Sequence, residues 1–189
     1  MIETLYPIFR HWSNTGSVYL YSDPHFSDEE MKWLRPNYIG DEEQIACINA
    51  MAHKNDTIII LGDIGDETLI SKIKAKYKVL ITGNHDKGNT IYQPYFNEIY
   101  NGPLFISNKI LLSHEPLDIN YAYNIHGHIH NMNYFGDNYH LCVSAESINY
   151  TPINLKTIIK SGILNKIDDI HRQTIDYQSS KYKSQVLGA

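Results

Sequence analysis

Short apolar, largely β-branched runs alternate along the chain with longer amphipathic or polar stretches, the pattern of strands feeding crossovers in a layered α/β protein. "SVYLYS" (17–22) reads as a strand, "DTIIILGD" carries a fully apolar strand from Thr57 to Leu61, and "YKVLITG" carries another ending at Thr82. Between them, "DEEQIACINAMAHK" (41–54) places Ile45, Ile48 and Met51 at helical spacing behind Asp41 as N-cap. "DETLISKIKAKY" (66–77) offers a second helix through Leu69, Ile70 and Ile73. Asp28, Glu29 and Glu30 are placed to start a further helix by favouring its positive end. The later half is richer in strands: "PLFIS", "KILLSH", "YNIHGHIH" and "NYHLCVS" leave little room for long helices. "TPINLKTIIKSG" then predicts a helix with Pro152 near its start and Gly162 after its end. From about 163 the chain turns polar and is expected to wrap the surface or fray.

The strand exits change the picture. Ser17–Ser22 runs into "DPH", Thr57–Leu61 into "GD", Val79–Thr82 into "GNHD", Ile110–Leu112 into "SHEP" and Tyr123–Ile125 into "HGHIH". Each delivers Asp, His or Asn where rigid strands fix the ligand crevice of an α/β sheet. Asp23, His25, Asp63, Asn84, His114, His128 and His130 together supply oxygen and imidazole donors without a thiolate, which favours Mn²⁺, Fe²⁺ or Zn²⁺ over a structural thiolate zinc site. Seven donors exceed what one tetrahedral ion takes, so they imply two ions sharing a carboxylate, with Asp63 the natural bridge.

Composition narrows the function. At 189 residues and 42% hydrophobic content, the chain suits one core and a single domain over 1–189. Sixteen basic against 21 acidic residues give a net charge of -5 with no long block of either sign, which weighs against charge-driven binding to nucleic acid or membranes. Cys47 and Cys142 have no paired spacing and read as small buried hydrophobes, and neither a leader pattern nor an apolar run of about 18 residues is seen; a cytoplasmic location is expected.

Five ordered blocks, Asp-x-His (Asp23, His25), Gly-Asp-x-x-Asp (Gly62, Asp63, Asp66), Gly-Asn-His-Asp (Gly83 to Asp86), a lone His (His114) and Gly-His-x-His (Gly127, His128, His130), resemble the calcineurin-like metallophosphoesterases. The resemblance covers Asp23 to His130 and implies a four-layer α/β/β/α sandwich of two mixed sheets flanked by helices. It implies two divalent ions, Mn²⁺ or alternatively Fe, Zn or Ni. One would be held by Asp23, His25, Asp63 and His130, the other by Asp63, Asn84, His114 and His128. His85 would act on the substrate, with Asp86 orienting it by a hydrogen bond. Arg35 is a candidate phosphate contact, joining Asn84 and His85 as substrate-binding residues.

The expected activity is metal-dependent phosphoester hydrolysis, as a phosphodiesterase on small or nucleotide-like substrates. Phosphomonoesterase, nuclease and non-catalytic scaffold are the alternatives on the same fold. No insertion is long enough to form a capping domain, which favours a small substrate. Tyr92, Tyr95, Phe96, Tyr121, Tyr123, Tyr134 and Phe135 follow the motif blocks and are candidates to stack on a substrate ring. Glycines 62, 83 and 127 suit close backbone approach or positive φ.

Overall fold

A computed structural model describes residues 1–130, 137–168, 177, 180 and 181. The chain enters through a 3-10 helix, Pro7–Ser13, and then forms β1 (Val18–Tyr21), α1 (Met31–Leu34), α2 (Asp41–Met51), β2 (Thr57–Ile60), β3 (Tyr77–Ile81), α3 (Asn89–Tyr92) and β4 (Glu98–Tyr100). The second half adds β5 (Leu104–Phe105), β6 (Ile110–Ser113), β7 (Tyr123–His126), β8 (His140–Cys142), β9 (Ile153–Asn154) and α4 (Leu155–Lys160).

Two mixed sheets result, in the orders β4-β3-β2-β1-β9 and β5-β6-β7-β8. In the first, β1 to β4 are mutually parallel and β9 runs antiparallel to β1; in the second, β6, β7 and β8 are parallel and β5 is antiparallel. With flanking helices, this is the α/β architecture that the motif blocks implied.

Period-2 alternation divides the core. Val18, Leu20, Ile59, Leu61, Val79 and Ile81 point to one face of the first sheet, where they pack with Ile110, Leu112, Ile125 and Val143 of the second-sheet region. Tyr19, Tyr21, Ile58, Ile60 and Leu80 point the other way and meet Ile45, Ile48 and Ala52 on and just after α2. Strands β1 and β2 are buried at every position, as continuous apolar runs in a sheet covered on both faces must be.

Local departures from the sequence pattern have physical causes. Gly40, at φ 85°, is the N-cap of α2, and Asp41 is already helical. The Asp41 carboxylate instead accepts the Ser27 N–H at 3.1 Å and the Tyr38 hydroxyl at 2.7 Å, bracing the loop after β1. The stretch 66–77 forms only a 3-10 helix, Glu67–Lys72. Asp66 caps its start through Thr68 N–H, and Asn49 takes the Lys72 carbonyl and the Lys74 N–H, which turns the chain out toward β3 before a full helix can propagate. Ahead of α4, β9 intervenes after Pro152, and Asn154 is the cap, accepting from Lys156 N–H at 2.9 Å. After α4 the segment does not fray at once: Ile163 and Leu164 pack against the inter-sheet core and Ile167 is buried within it. No helix among the described residues is long and apolar enough to cross a membrane.

Candidate metal centre

All five motif blocks lie at or just beyond the C-terminal ends of parallel strands β1, β2, β3, β6 and β7, so the two sheets deliver them to one edge. Reaching inward there requires unusual backbone. Asp23, His25, Asp63 and His128 have φ of 55°, 45°, 55° and 64°, a left-handed conformation that costs a non-glycine residue on the order of 1 kcal/mol or more. Neighbouring glycines leave the room: a Cβ at Gly83 would press on Asp63 and His114, and one at Gly127 would overlap Ser22 and Asp23.

Two groups of potential ligand atoms converge. Asp23, His25 and His130 form one, and Asp63, His114 and His128 the other. Asp63 lies between them: its Oδ2 is 3.5 Å from His25 Nε2 and 3.4 Å from His114 Nε2. Its Oδ1 accepts the His85 N–H at 3.0 Å, which fixes the carboxylate with Oδ2 facing both groups. Asn84 joins the second group through Oδ1, at 2.8 Å from His114 Nε2 and 3.0 Å from His128 Nδ1.

The donor set fits cations. His114 Nδ1 bonds the Leu61 carbonyl at 2.7 Å, and a carbonyl only accepts, so Nδ1 carries hydrogen. In a neutral ring the Nε2 lone pair would then face Asn84 Oδ1 and Asp63 Oδ2, with His128 Nδ1 3.2 Å away. Acceptors gathered this closely need a positive charge among them. Without a metal a proton takes that part: burial pushes the His114 pKa down, yet the Asp63 hydrogen bond and the Asp23 and Asp63 charges outweigh it and raise the value to about 9. Burial likewise works upward on Asp63, but bonds and charge from His114, the His85 N–H and His25 bring it down to about 2. In the first group His25 Nε2 is buried without a hydrogen-bond partner, the state expected of a nitrogen meant for a metal.

Outer contacts hold these side chains in place. Asp23 accepts the His128 N–H at 3.0 and 3.1 Å and the Ser144 hydroxyl at 2.9 Å. Glu146 Oε2 lies 3.1 Å from His130 Nδ1, and Glu146 Oε1 is 2.5 Å from Arg35 Nη1. Burial raises the Glu146 pKa, but the His130 bond and the Arg35 charge outweigh that, leaving it below the ordinary value. Ser144 and Glu146 escaped the sequence reading; lying 14 and 16 residues past His130 and outside every motif block, they look like ordinary turn residues.

The other expectations divide. Arg35 reaches the site, its Nη2 2.6 Å from His130 Nε2. His85 lies exposed at the cleft wall, its ring centroid 5.8 Å from that of His25. Asp86 does something different from what the resemblance implied. Its Oδ2 accepts the N–H groups of Asp63 (3.0 Å) and Gly83 (2.7 Å), and its Oδ1 accepts Ile64 N–H (2.9 Å) and the Tyr92 hydroxyl (3.0 Å). With both oxygens doubly used, the carboxylate ties the β2 and β3 exit loops together and is not aimed at His85. Tyr92 is buried as part of that brace and half-buried Tyr95 packs on the helix-side core, and neither lines the cleft over the site. Tyr123 is likewise buried. Tyr134 and Phe135 lie outside the described residues.

The cleft over the site measures about 950 Å³, and its wall carries Asp28, Glu29, Glu30, Asp66 and Glu67 together with Arg35 and Lys87.

With this geometry in view, comparison with known proteins places the chain. The calcineurin-like phosphoesterase family matches residues 16–178, and the chain belongs to that family. An uncharacterized protein of Methanocaldococcus jannaschii is 31% identical over 172 residues, covering 76% of this chain and 89% of that protein. Among solved structures, a protein of unknown function from Aquifex aeolicus aligns at TM-score 0.63 and 26% identity, covering 76% of this chain and 98% of its own. A nuclease of Pseudomonas putida aligns over 60% of each chain at TM-score 0.38 and 21% identity, too weakly to bear on the substrate. The two Asp/His groups fit the binuclear metal centre of the family.

Proposed function

We propose that the protein is a binuclear-metal-dependent phosphoester hydrolase, acting as a phosphodiesterase on small or nucleotide-like substrates. The observation that carries this reading is Asp63 Oδ2, set 3.5 Å and 3.4 Å from imidazole nitrogens of two separate ligand groups. Asp23, His25, Asp63 and His130 would hold one divalent ion, and Asp63, Asn84, His114 and His128 the other. Bound there, two such ions supply Lewis acidity toward phosphoryl oxygens and acidify water. Mn²⁺ is the ion we would load first, since oxygen and imidazole donors without thiolate suit it.

The chain's own groups supply the rest. His85, at the cleft wall, is placed to give a proton to the departing ester oxygen or to stabilise phosphoryl charge. Arg35 offers a planar fork of N–H donors to phosphoryl oxygens. The brace through Asp86 keeps Gly83, Asn84 and His85 at a fixed distance from Asp63, which preserves the alignment that in-line displacement requires. The acidic wall of the cleft favours a small ester over a long polyanion, because successive phosphates would meet carboxylates beyond the ions.

The test compares hydrolysis of a bis-aryl phosphodiester and the matching monoester by metal-stripped protein reloaded with Mn²⁺, alongside His85→Ala. Diester turnover that requires metal and falls at least about a hundredfold in the variant supports the reading. Preference for the monoester would replace phosphodiesterase with phosphomonoesterase. Turnover of neither, by protein holding two ions, would favour a scaffold.

A further inference from the structure

Arg35, His130 and Glu146 form a closed ring of contacts that ties Arg35 to residues 95 and 111 positions further along the chain: Arg35 Nη1 to Glu146 Oε1 at 2.5 Å, His130 Nδ1 to Glu146 Oε2 at 3.1 Å, and Arg35 Nη2 to His130 Nε2 at 2.6 Å. The guanidinium and the carboxylate are both largely buried, at 11% and 12% side-chain exposure. Hydrogen counting fixes the ring's chemistry. Arginine has no acceptor, so His130 Nε2 must accept from Nη2; its Nδ1 therefore carries the hydrogen and donates it to Glu146.

That tautomer directs the Nε2 lone pair into the first ligand group, 3.5 Å from Asp23 Oδ1. A cation held by Asp23, His25 and His130 needs the same lone pair. The Arg35–His130 bond and a metal on His130 therefore exclude each other.

We infer that Glu146 is a positioning residue serving both parts of the site, and that Arg35 is a resident cation exchanged for the first metal. In the metal-free protein the guanidinium satisfies His130 Nε2. With a metal on that nitrogen Nη2 would be free while Nη1 stays on Glu146, leaving one end of the fork at the cleft wall to meet a phosphoryl group. Arg35 would then be ready to bind an anion, and Glu146 would keep His130 in the tautomer that both arrangements require. The inference rests on the binuclear reading above and adds an order of events and a residue to it.

The experiment is calorimetric titration of metal-stripped protein with Mn²⁺ in the absence of substrate. Wild type is compared with Arg35→Met and Glu146→Gln, and each is repeated in a His128→Ala background to isolate the first group. Thermal melts establish that each variant is folded; both substitutions nearly conserve volume. Arg35→Met should bind Mn²⁺ at the first group about tenfold more tightly, since no charged hydrogen bond has to be broken. Glu146→Gln should bind it about 10- to 100-fold more weakly, because a glutamine carbonyl cannot serve both His130 and Arg35, and the His130 tautomer is lost. With a phosphodiester, Arg35→Met should raise KM more than it lowers kcat. Unchanged or weaker binding in Arg35→Met, or binding within twofold of wild type in Glu146→Gln, overturns the inference while leaving the metal centre intact. Wild type that takes up fewer than two ions overturns the binuclear reading, and the inference with it.

Discussion

The two ligand groups lie on either side of one carboxylate oxygen, Asp63 Oδ2, but balance their lone pairs in different ways. Around His114 and Asn84 the positive charge is a proton, and the His114 pKa is raised to about 9 to hold it. Around His130 it is a guanidinium, carried by Arg35 and anchored on Glu146. A proton leaves as solvent pH changes, whereas an arginine cannot lose its charge and must be displaced. Metal entering the two halves of the site would therefore meet different competitors, one set by pH and the other by side-chain geometry.

The largest expected effect comes from removing what the halves share. Asp63→Ala should prevent stable uptake of both ions and lower phosphoester turnover by on the order of a thousandfold or more, the scale of losing a principal electrostatic stabiliser. Retention of both ions, measured by elemental analysis, would show that Asp63 does not bridge. Next, His130→Ala and His114→Ala should each reduce bound metal from two equivalents to one. Loss of both ions from either variant would mean that the groups do not bind separately.

The pH dependence separates the halves further. The His114 pKa is raised in the metal-free fold, so its contribution to stability is complete below about pH 6.5 and is lost as pH rises through about 9. The Asp63 pKa is lowered to about 2, so its contribution is present above about pH 4 and is lost as pH falls through about 2. Metal-free protein should thus melt highest between about pH 4 and 6.5. Filling the second group at pH 7.5 should release about one proton, read by titration in buffers of different ionisation heat. A melting temperature that rises from pH 6.5 to 9 would contradict this assignment. The smallest effect is expected at Tyr92→Phe, which removes one bond to Asp86. It should cost about 1 kcal/mol of stability, followed by denaturant unfolding, and leave the choice between nucleotide and simple aryl esters unchanged.

The strand exits were legible because a continuous apolar run followed at once by Asp, Asn or His is a local pattern, and five of them in order carry information about the site that none carries alone. The candidacy of Asp63 as a bridge came from counting donors against coordination number, and its Oδ2 lies between the two ligand groups. Partner choice was less visible. Nothing local shows that Asp86 spends its carboxylate on the amides of Asp63, Ile64 and Gly83, since those bonds depend on the separation of two strand exits. Asp41 looked like a cap because a carboxylate before an apolar-periodic stretch normally is one; the long-range demand of Ser27 took it instead. Glu146 was illegible for the same reason, standing 111 residues from Arg35 in a short 3-10 helix, Ala145–Ile148, with no motif around it. The tyrosines after Asp86 showed how little proximity in sequence says about direction: Tyr92 follows the motif by six residues and points into the brace beneath it.

The most direct test of the central claim is turnover of a bis-aryl phosphodiester by metal-stripped protein as Mn²⁺ is added in measured equivalents, with binding followed in parallel. A centre bridged by Asp63 predicts negligible activity without metal and a plateau reached at two equivalents. Activity in the stripped protein, or a plateau at one equivalent with no further gain, would contradict a shared two-metal centre.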